Sequence, residues 1–241
     1  MQAVADTPAP RRRDAALDLL KWLAMLCMVL DHLRYVGWSV DVLYVPGRLA
    51  FPWFCLAIAA NLARRPSAPV RGGYLLWLLG FAVLAQWPYQ LFVGPGEPLN
   101  VLPTLALGLL VASAVAAPRP RALLLGAGAF LVAALGWDHL MFGLPGVLLP
   151  AFCLLALRAR VWLLAAGAVC LWANEWWVIV PAAQAYNPVA IGGVLACLIA
   201  PWLGVSLLRH ARGLKVAPMR RWAYAIYPLH FLVLLGLRGI I

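Results

Sequence analysis

Charge is scarce in this chain. Lys, Arg, Asp and Glu together supply 11% of 241 residues, against about 25% in ordinary soluble domains. That shortage excludes a soluble enzyme and a disordered protein, because each needs a hydrated, charged surface. Only eight carboxylates and four histidines are present, so each one inside an apolar run is informative. The five cysteines (Cys27, Cys55, Cys153, Cys170 and Cys197) form no Cys-x-x-Cys pair and no His/Cys cluster. Neither a metal site nor a disulfide scaffold is expected from them; they read as small hydrophobes. There is no convincing internal repeat, which argues against a transporter built from inverted halves.

What the chain has instead is apolar surface. Hydrophobic residues make up 65% of it, and the mean hydropathy is +0.90. This composition points to an all-α integral membrane protein, a polytopic bundle of transmembrane helices. Residues 1–13 are polar and end in Arg11-Arg12-Arg13. They read as a cytoplasmic tail rather than a signal peptide, because the apolar run that follows is too long and lacks a small-residue cleavage site. Residues 14–241 read as a single polytopic domain with no room for a soluble one. Nine apolar segments are expected near 17–38, 46–63, 72–93, 101–117, 121–137, 143–158, 161–179, 187–208 and 219–238. The fifth and sixth are short enough to form a hairpin that does not cross fully.

The cations orient this bundle. With the N-terminus inside, the cytoplasmic connections carry Arg11, Arg12 and Arg13, then Arg64, Arg65 and Arg71, then Arg119 and Arg121, then Arg158 and Arg160. The last such connection holds Arg209, Arg212, Lys215, Arg220 and Arg221. Only Arg34, Arg48 and Arg238 fall toward the outside. Nine spans, N-terminus in and C-terminus out, satisfy the positive-inside rule at every loop. The net charge of +11 is therefore read as topology and lipid contact, not as nucleic-acid binding. Trp22, Trp162 and Trp222 fit an inner aromatic belt, and Trp38, Trp137, Trp176 and Trp177 an outer one.

Several polar residues then fall inside or near the membrane. Asp31, His32 and Arg34 lie in the outer half of the first segment, Arg48 opens the second, and Gln86 lies in the third. Asn100 and Thr104 begin the fourth. Asp138 with His139 ends the fifth, Asn174 with Glu175 ends the seventh, and Tyr186 with Asn187 opens the eighth. An ionisable group in a span costs roughly 2.5–3.5 kcal/mol on insertion scales, so such groups face a bundle interior or a wet cavity; Asp138, Glu175 and Asn187, at segment ends, could equally reach headgroups and water. Lys21 and His32 are eleven residues apart and share a helix face, about 16 Å apart along the axis. That spacing suits a long anionic donor with its phosphates at Lys21 and its reactive end at His32; alone, Lys21 could equally snorkel to the headgroups. Tyr224, Tyr227 and His230 line one side of the last segment, where Pro228 is expected to kink the helix.

These residues resemble a known family. Leu19-Leu20-Lys21-Trp22-Leu23-Ala24 through Met28-Val29-Leu30-Asp31-His32 is similar to the first helix of the TraX family of membrane acetyltransferases. Gly47-Arg48-Leu49-Ala50-Phe51-Pro52-Trp53-Phe54, with Asn61, resembles its second helix. Asn100, Thr104 and Gly108, and Gly143 with Pro145-Gly146, resemble its middle segments, and Tyr224-Ala225-Ile226-Tyr227-Pro228-Leu229-His230 its last helix. The resemblance implies N-terminal acetylation of a pilin-like envelope protein, with acetyl-CoA as donor and no metal, in the bacterial inner membrane. The chain also looks distantly like the type 3 acyltransferases, whose first helix carries an Arg and a catalytic His at the offset that Lys21 and His32 keep here.

On this reading His32 acts as general base on the acceptor amine, or is itself acetylated and passes the group on. Asp31 points about 100° away from His32 on the helix and is expected to pair with Arg48 or Arg34. Arg48, Tyr227 or His230 would hold the thioester carbonyl. Lys21, Arg220, Arg221 and Tyr224 would meet the donor. Gln86, Asn100, Thr104 and Asp138 are expected on the acceptor side. Three rivals share part of the pattern: an O-acyltransferase for a surface sugar or lipid, a small transporter or flippase, and a pilus assembly factor. A transporter predicts polar residues at all depths, yet the inner halves of the third to eighth segments are almost wholly apolar.

Overall fold

The computed structural model describes residues 13–37, 40–64 and 72–240. Apart from Arg13, the expected tail lies outside the described residues, as do Trp38, Arg65 and Arg71. Ten α-helices are present among the described residues, and no strand. They are α1 (Ala15–Leu33), α2 (Tyr44–Ala63), α3 (Gly72–Val93), α4 (Val101–Ala116) and α5 (Pro120–Leu135), followed by α6 (Gly143–Arg158), α7 (Trp162–Ala173), α8 (Trp176–Gln184), α9 (Pro188–His210) and α10 (Ile226–Arg238).

The helix starts follow capping chemistry. The Asp14 carboxylate accepts from the Leu17 N–H at 3.0 Å and opens α1. Asn187 accepts from Val189 and Ala190 ahead of α9, with Pro188 in the first turn, where its missing N–H costs nothing. Pro228 does not fall in a helix interior, where a kink was expected. Arg221–Ala225 is a 3-10 helix, and α10 starts only at Ile226. Pro228 thus falls in the first turn of α10, where no intrahelical bond needs its N–H.

α2 is the axis of the bundle and packs against α1, α4, α6 and α9. Its buried face is mostly small: Ala50, Ala57, Ala59 and Ala60 are all buried, which lets the helices approach closely, as in lipid-embedded bundles. Trp53 crosses to α9, donating from Nε1 to the Ala200 carbonyl at 3.0 Å. Leu20, Leu56, Ile58, Leu154, Phe92 and Phe231 are fully buried. Outward-facing residues are apolar too, including Val83, Leu124, Leu131 and Leu135. A face of that kind suits acyl chains rather than water.

Among the described residues, three helical stretches are long and apolar enough to cross a membrane: Asp41–Ala63, Gly72–Val93 and Pro188–Gly213. A fourth candidate is the pair α7 and α8, bent by 95°. The single span expected over 161–179 is therefore broken. Asn174 ends α7 by turning its amide back to the Cys170 carbonyl at 2.8 Å. Glu175 then adopts a left-handed backbone (φ 55°), and Trp176 and Trp177 stay exposed on α8. α4, α5 and α6 have 16 residues each. That is about 24 Å of helix against a hydrocarbon core of about 30 Å.

Long-range contacts gather the connections at two ends. At one, Arg64 pairs with Asp14, Arg13 holds Asp18 at 2.8 Å and the Val216 carbonyl, and Trp22 donates to the Ala217 carbonyl at 3.0 Å. Arg158 reaches the Val115 and Ala116 carbonyls there. At the other end, Arg238 donates to the Tyr35 and Phe92 carbonyls, both at 2.9 Å. There too the Leu99 N–H meets the His139 carbonyl at 2.9 Å. The first of these groups is rich in arginine.

Candidate active site

The face of α1 that begins at Lys21 carries Met25, Met28 and His32 at helical spacing. Lys21, Met25 and Met28 line a cavity of about 230 Å³ enclosed by α1, α2, α3, α4 and the 219–227 segment. Its polar lining comes from Lys21, Asn61, Tyr74, Arg220, Arg221 and Tyr224. All four residues expected to meet the donor (Lys21, Arg220, Arg221 and Tyr224) thus share one wall system. Among the described residues Lys21 has one carboxylate near it, Asp18 at 3.8 Å, which also pairs with Arg13. Arg221 lies over the Trp77 ring at 5.7 Å. Tyr224 stacks with Phe81 and Trp77, and Tyr74 joins it in lining the cavity.

The cavity continues toward Val101 and Tyr227. The Tyr227 hydroxyl accepts from the Val101 backbone N–H at 3.3 Å, which leaves its own proton free to donate. Beside it stands His230, whose ring centre is 5.6 Å from that of Tyr227. His230 meets His32 directly: His32 Nδ1 and His230 Nε2 are 2.8 Å apart. Phe92 packs edge-on to His32, and Phe231 touches both imidazoles. Two histidines 198 positions apart are thus joined where α1, α3 and α10 meet.

Asp31 turns to the other side of α1, as the 100° step requires. Arg48 donates to Asp31 Oδ2 at 2.9 Å and to Asn174 Oδ1 at 2.7 Å, and Arg34 Nε lies 3.3 Å from Asp31 Oδ1. Both guanidiniums also sit over the Tyr44 ring, at 4.1 Å for Arg48 and 4.9 Å for Arg34. This cluster ties α1 and α2 to the break after α7. The fit depends on Gly47, where a Cβ would overlap the Asp31 carboxyl. With its guanidinium held by Asp31 and Asn174, Arg48 is placed as a clamp, and Tyr227 and His230 are left nearer the cavity.

The remaining expected residues separate. Gln86 and Asn100 bind each other: Asn100 donates from its backbone at 3.0 Å and from its amide at 2.7 Å to Gln86 Oε1. Asn100 also caps α4 through Leu102, one residue from the Tyr227 contact at Val101. Thr104 pins the Met141 carbonyl at 2.7 Å, between α4 and α6. Asp138 is exposed on a 3-10 turn after α5. Tyr74 was not expected. It opens α3, and no spacing in the sequence ties it to Tyr224.

With this geometry in place, comparison with known proteins is decisive. A family profile described as TraX protein matches residues 16–238. The chain belongs to the TraX family. It is 34% identical over 86 residues to "Protein TraX" of Escherichia coli, an alignment covering 35% of this chain and 34% of that protein. A second "Protein TraX", from Escherichia coli strain K12, is 35% identical over the same length and shares. Each alignment spans about a third of the curated relative it matches. No solved structure matches this TraX-family chain.

Proposed function

We propose that this TraX-family chain is a membrane-embedded acetyltransferase that moves an acetyl group from cytoplasmic acetyl-CoA to the N-terminal amine of a pilin-like envelope protein. In this reading it sits in the bacterial inner membrane as one polytopic unit, with the basic end in the cytoplasm and the N-terminus inside. In the same reading nine helices, α1 to α7 with α9 and α10, are its passes, and α8 rests at the outer interface. The observation that carries the reading is the cavity, which begins among Lys21, Arg220 and Arg221 and ends at Tyr227, next to the His32–His230 pair.

The lining fits such a donor. Three cations at one end of a narrow, mostly apolar cavity match an anionic head on a slender arm. At about 230 Å³ the space is below the roughly 300–1,000 Å³ of a drug-sized site. It therefore accommodates an arm while the nucleotide stays at the mouth. Bound there, acetyl-CoA would supply an activated acyl carbonyl and a thiolate leaving group. Lys21, Arg220 and Arg221 hold the phosphates, and the apolar lining keeps water from the thioester. Tyr227 donates its free hydroxyl proton to the carbonyl oxygen as charge develops on it. His32 takes the proton of the acceptor amine and returns one to the departing sulfur.

The test is mass spectrometry of envelope proteins from cells with and without this chain. An N-terminal pilin peptide heavier by one acetyl group only when the chain is present supports the reading. Acetyl appearing on a sugar or lipid hydroxyl instead would move the acceptor to the O-acyl class. No acetylated product of either kind would overturn the reading.

A further inference from the structure

The two imidazoles meet in a way that fixes where their protons are. Their ring planes are 11° apart and their centres 5.0 Å apart, while the facing nitrogens are 2.8 Å apart. Rings that close in nitrogen but that far in centre meet edge to edge, nearly in one plane, so an N–H on one points along the lone pair of the other. Phe92 packed edge-on to His32 and Phe231 against both rings hold these planes.

A polarity follows from the far side of His230. Its Nδ1 lies 3.3 Å from the Ile226 carbonyl, which can only accept, so Nδ1 carries the proton. A neutral His230 then presents a bare lone pair at Nε2. The nitrogen facing it, His32 Nδ1, must carry the second proton, because two lone pairs at 2.8 Å would repel. His32 Nε2 is left deprotonated, and among the described residues nothing hydrogen-bonds to it. No carboxylate pairs with either ring there; Asp31 is committed to Arg48 and Arg34 on the other side of α1.

We infer that His230 is a positioning residue that locks His32 in the Nδ1–H tautomer, making His32 Nε2 the basic nitrogen, through a relay running Ile226 carbonyl, His230, His32. The catalytic use of this relay rests on the acetyl-transfer reading above; the tautomer does not. In that use, His32 Nε2 accepts a proton from the acceptor amine as the amine nitrogen bonds to the acyl carbon. The resulting charge is shared along the Nδ1–H···Nε2 bond to His230, and the Ile226 carbonyl supports it. The carbon–sulfur bond then breaks, and the Nε2 proton passes to the thiolate. His32 ends neutral, with its Nδ1 proton where it began. This is the logic by which a buried acceptor holds a catalytic imidazole in the working tautomer, where a wrong tautomer costs roughly 10⁴-fold in rate.

The experiment is nitrogen NMR of the full chain, 15N-labelled at histidine, in lipid nanodiscs. With four histidines in all, variants of His139 and His210 complete the assignment. His32 is expected to show a protonated Nδ1 and an unprotonated Nε2, with scalar coupling across the bond from His32 Nδ1 to His230 Nε2. His230→Gln keeps an acceptor toward His32 and should retain the pattern, whereas His230→Phe fills the space without one and should lose it. If the acetyl-transfer reading holds, kcat falls by a factor on the order of 10² or more in His230→Phe, with KM for the donor unchanged, and His230→Gln recovers most of it. A proton on Nε2 of His32, an imidazolium, or a proton evenly divided between its nitrogens would overturn the inference. An inactive wild-type protein with the expected tautomer would sink the transferase reading alone.

Discussion

Replacing Asp31 by Asn tests the clamp on the back of α1. Among the described residues Asp31 is the one carboxylate facing Arg48 at 2.9 Å and Arg34 at 3.3 Å, and the three side chains are only 13%, 14% and 17% exposed. Charges 4 Å apart interact by about 4 kcal/mol at an effective dielectric of 20, and much of that only offsets desolvation. Removing one partner of a buried pair costs about 3–5 kcal/mol, because the other charge is left uncompensated. Here two arginines are stranded, with Asn174 and the Tyr44 ring remaining as partners, which argues for about 3 kcal/mol. In a chain of this size each kcal/mol moves the melting temperature by about 2–4 °C, so Asp31→Asn should lower Tm by about 6–12 °C. The assay is thermal unfolding of the purified protein in one detergent, with Asp41→Asn on the exposed turn before α2 as control. Replacing the pair together, Asp31→Leu with Arg48→Met, should recover part of the loss, since an apolar pair strands only Arg34. A shift of Asp31→Asn no larger than that of Asp41→Asn would refute the clamp.

Three further outcomes follow from the cavity and the helix contacts. Lys21→Ala should raise KM for acetyl-CoA about tenfold with little change in kcat, because Lys21 stands at the donor's charged end; an unchanged KM would confine Lys21 to lipid headgroups. Tyr227→Phe removes one donor to the carbonyl oxygen and should lower kcat by roughly 10²–10³; a rate within threefold would leave the oxygen to another group. Gly47→Ala places a methyl group on the Asp31 carboxyl and should cost about 1–3 kcal/mol in unfolding; a neutral Tm would mean that α1 and α2 separate freely.

Much of this arrangement is legible in the sequence because charge is rare in it. Each basic connection stands out, and the apolar runs between them reappear as helices. The face shared by Lys21 and His32 follows from helix geometry alone, and so does the divergence of Asp31 toward Arg48. The break after Asn174 was not legible. It depends on Arg48, 126 positions away, reaching the Asn174 side chain, and on a non-glycine residue, Glu175, accepting a left-handed backbone. The end of the bundle that carries Tyr224 misled differently: Pro228 suggests a kink until the preceding turn is seen to be 3-10. Thr104 and Asp138, read from their polarity as acceptor-side residues, have surroundings that the sequence does not spell out. One fastens α4 to the turn before α6, and the other faces outward. The His32–His230 contact itself joins opposite ends of the chain, and no local spacing announces it.

The most direct test of the central claim is acetyl transfer by purified protein in proteoliposomes, with labelled acetyl-CoA and a pilin N-terminal peptide, comparing wild type with His32→Ala. The account predicts label on the peptide amine with wild type and transfer at least about 10²-fold slower with the variant. Transfer by His32→Ala within a few-fold of wild type would contradict it.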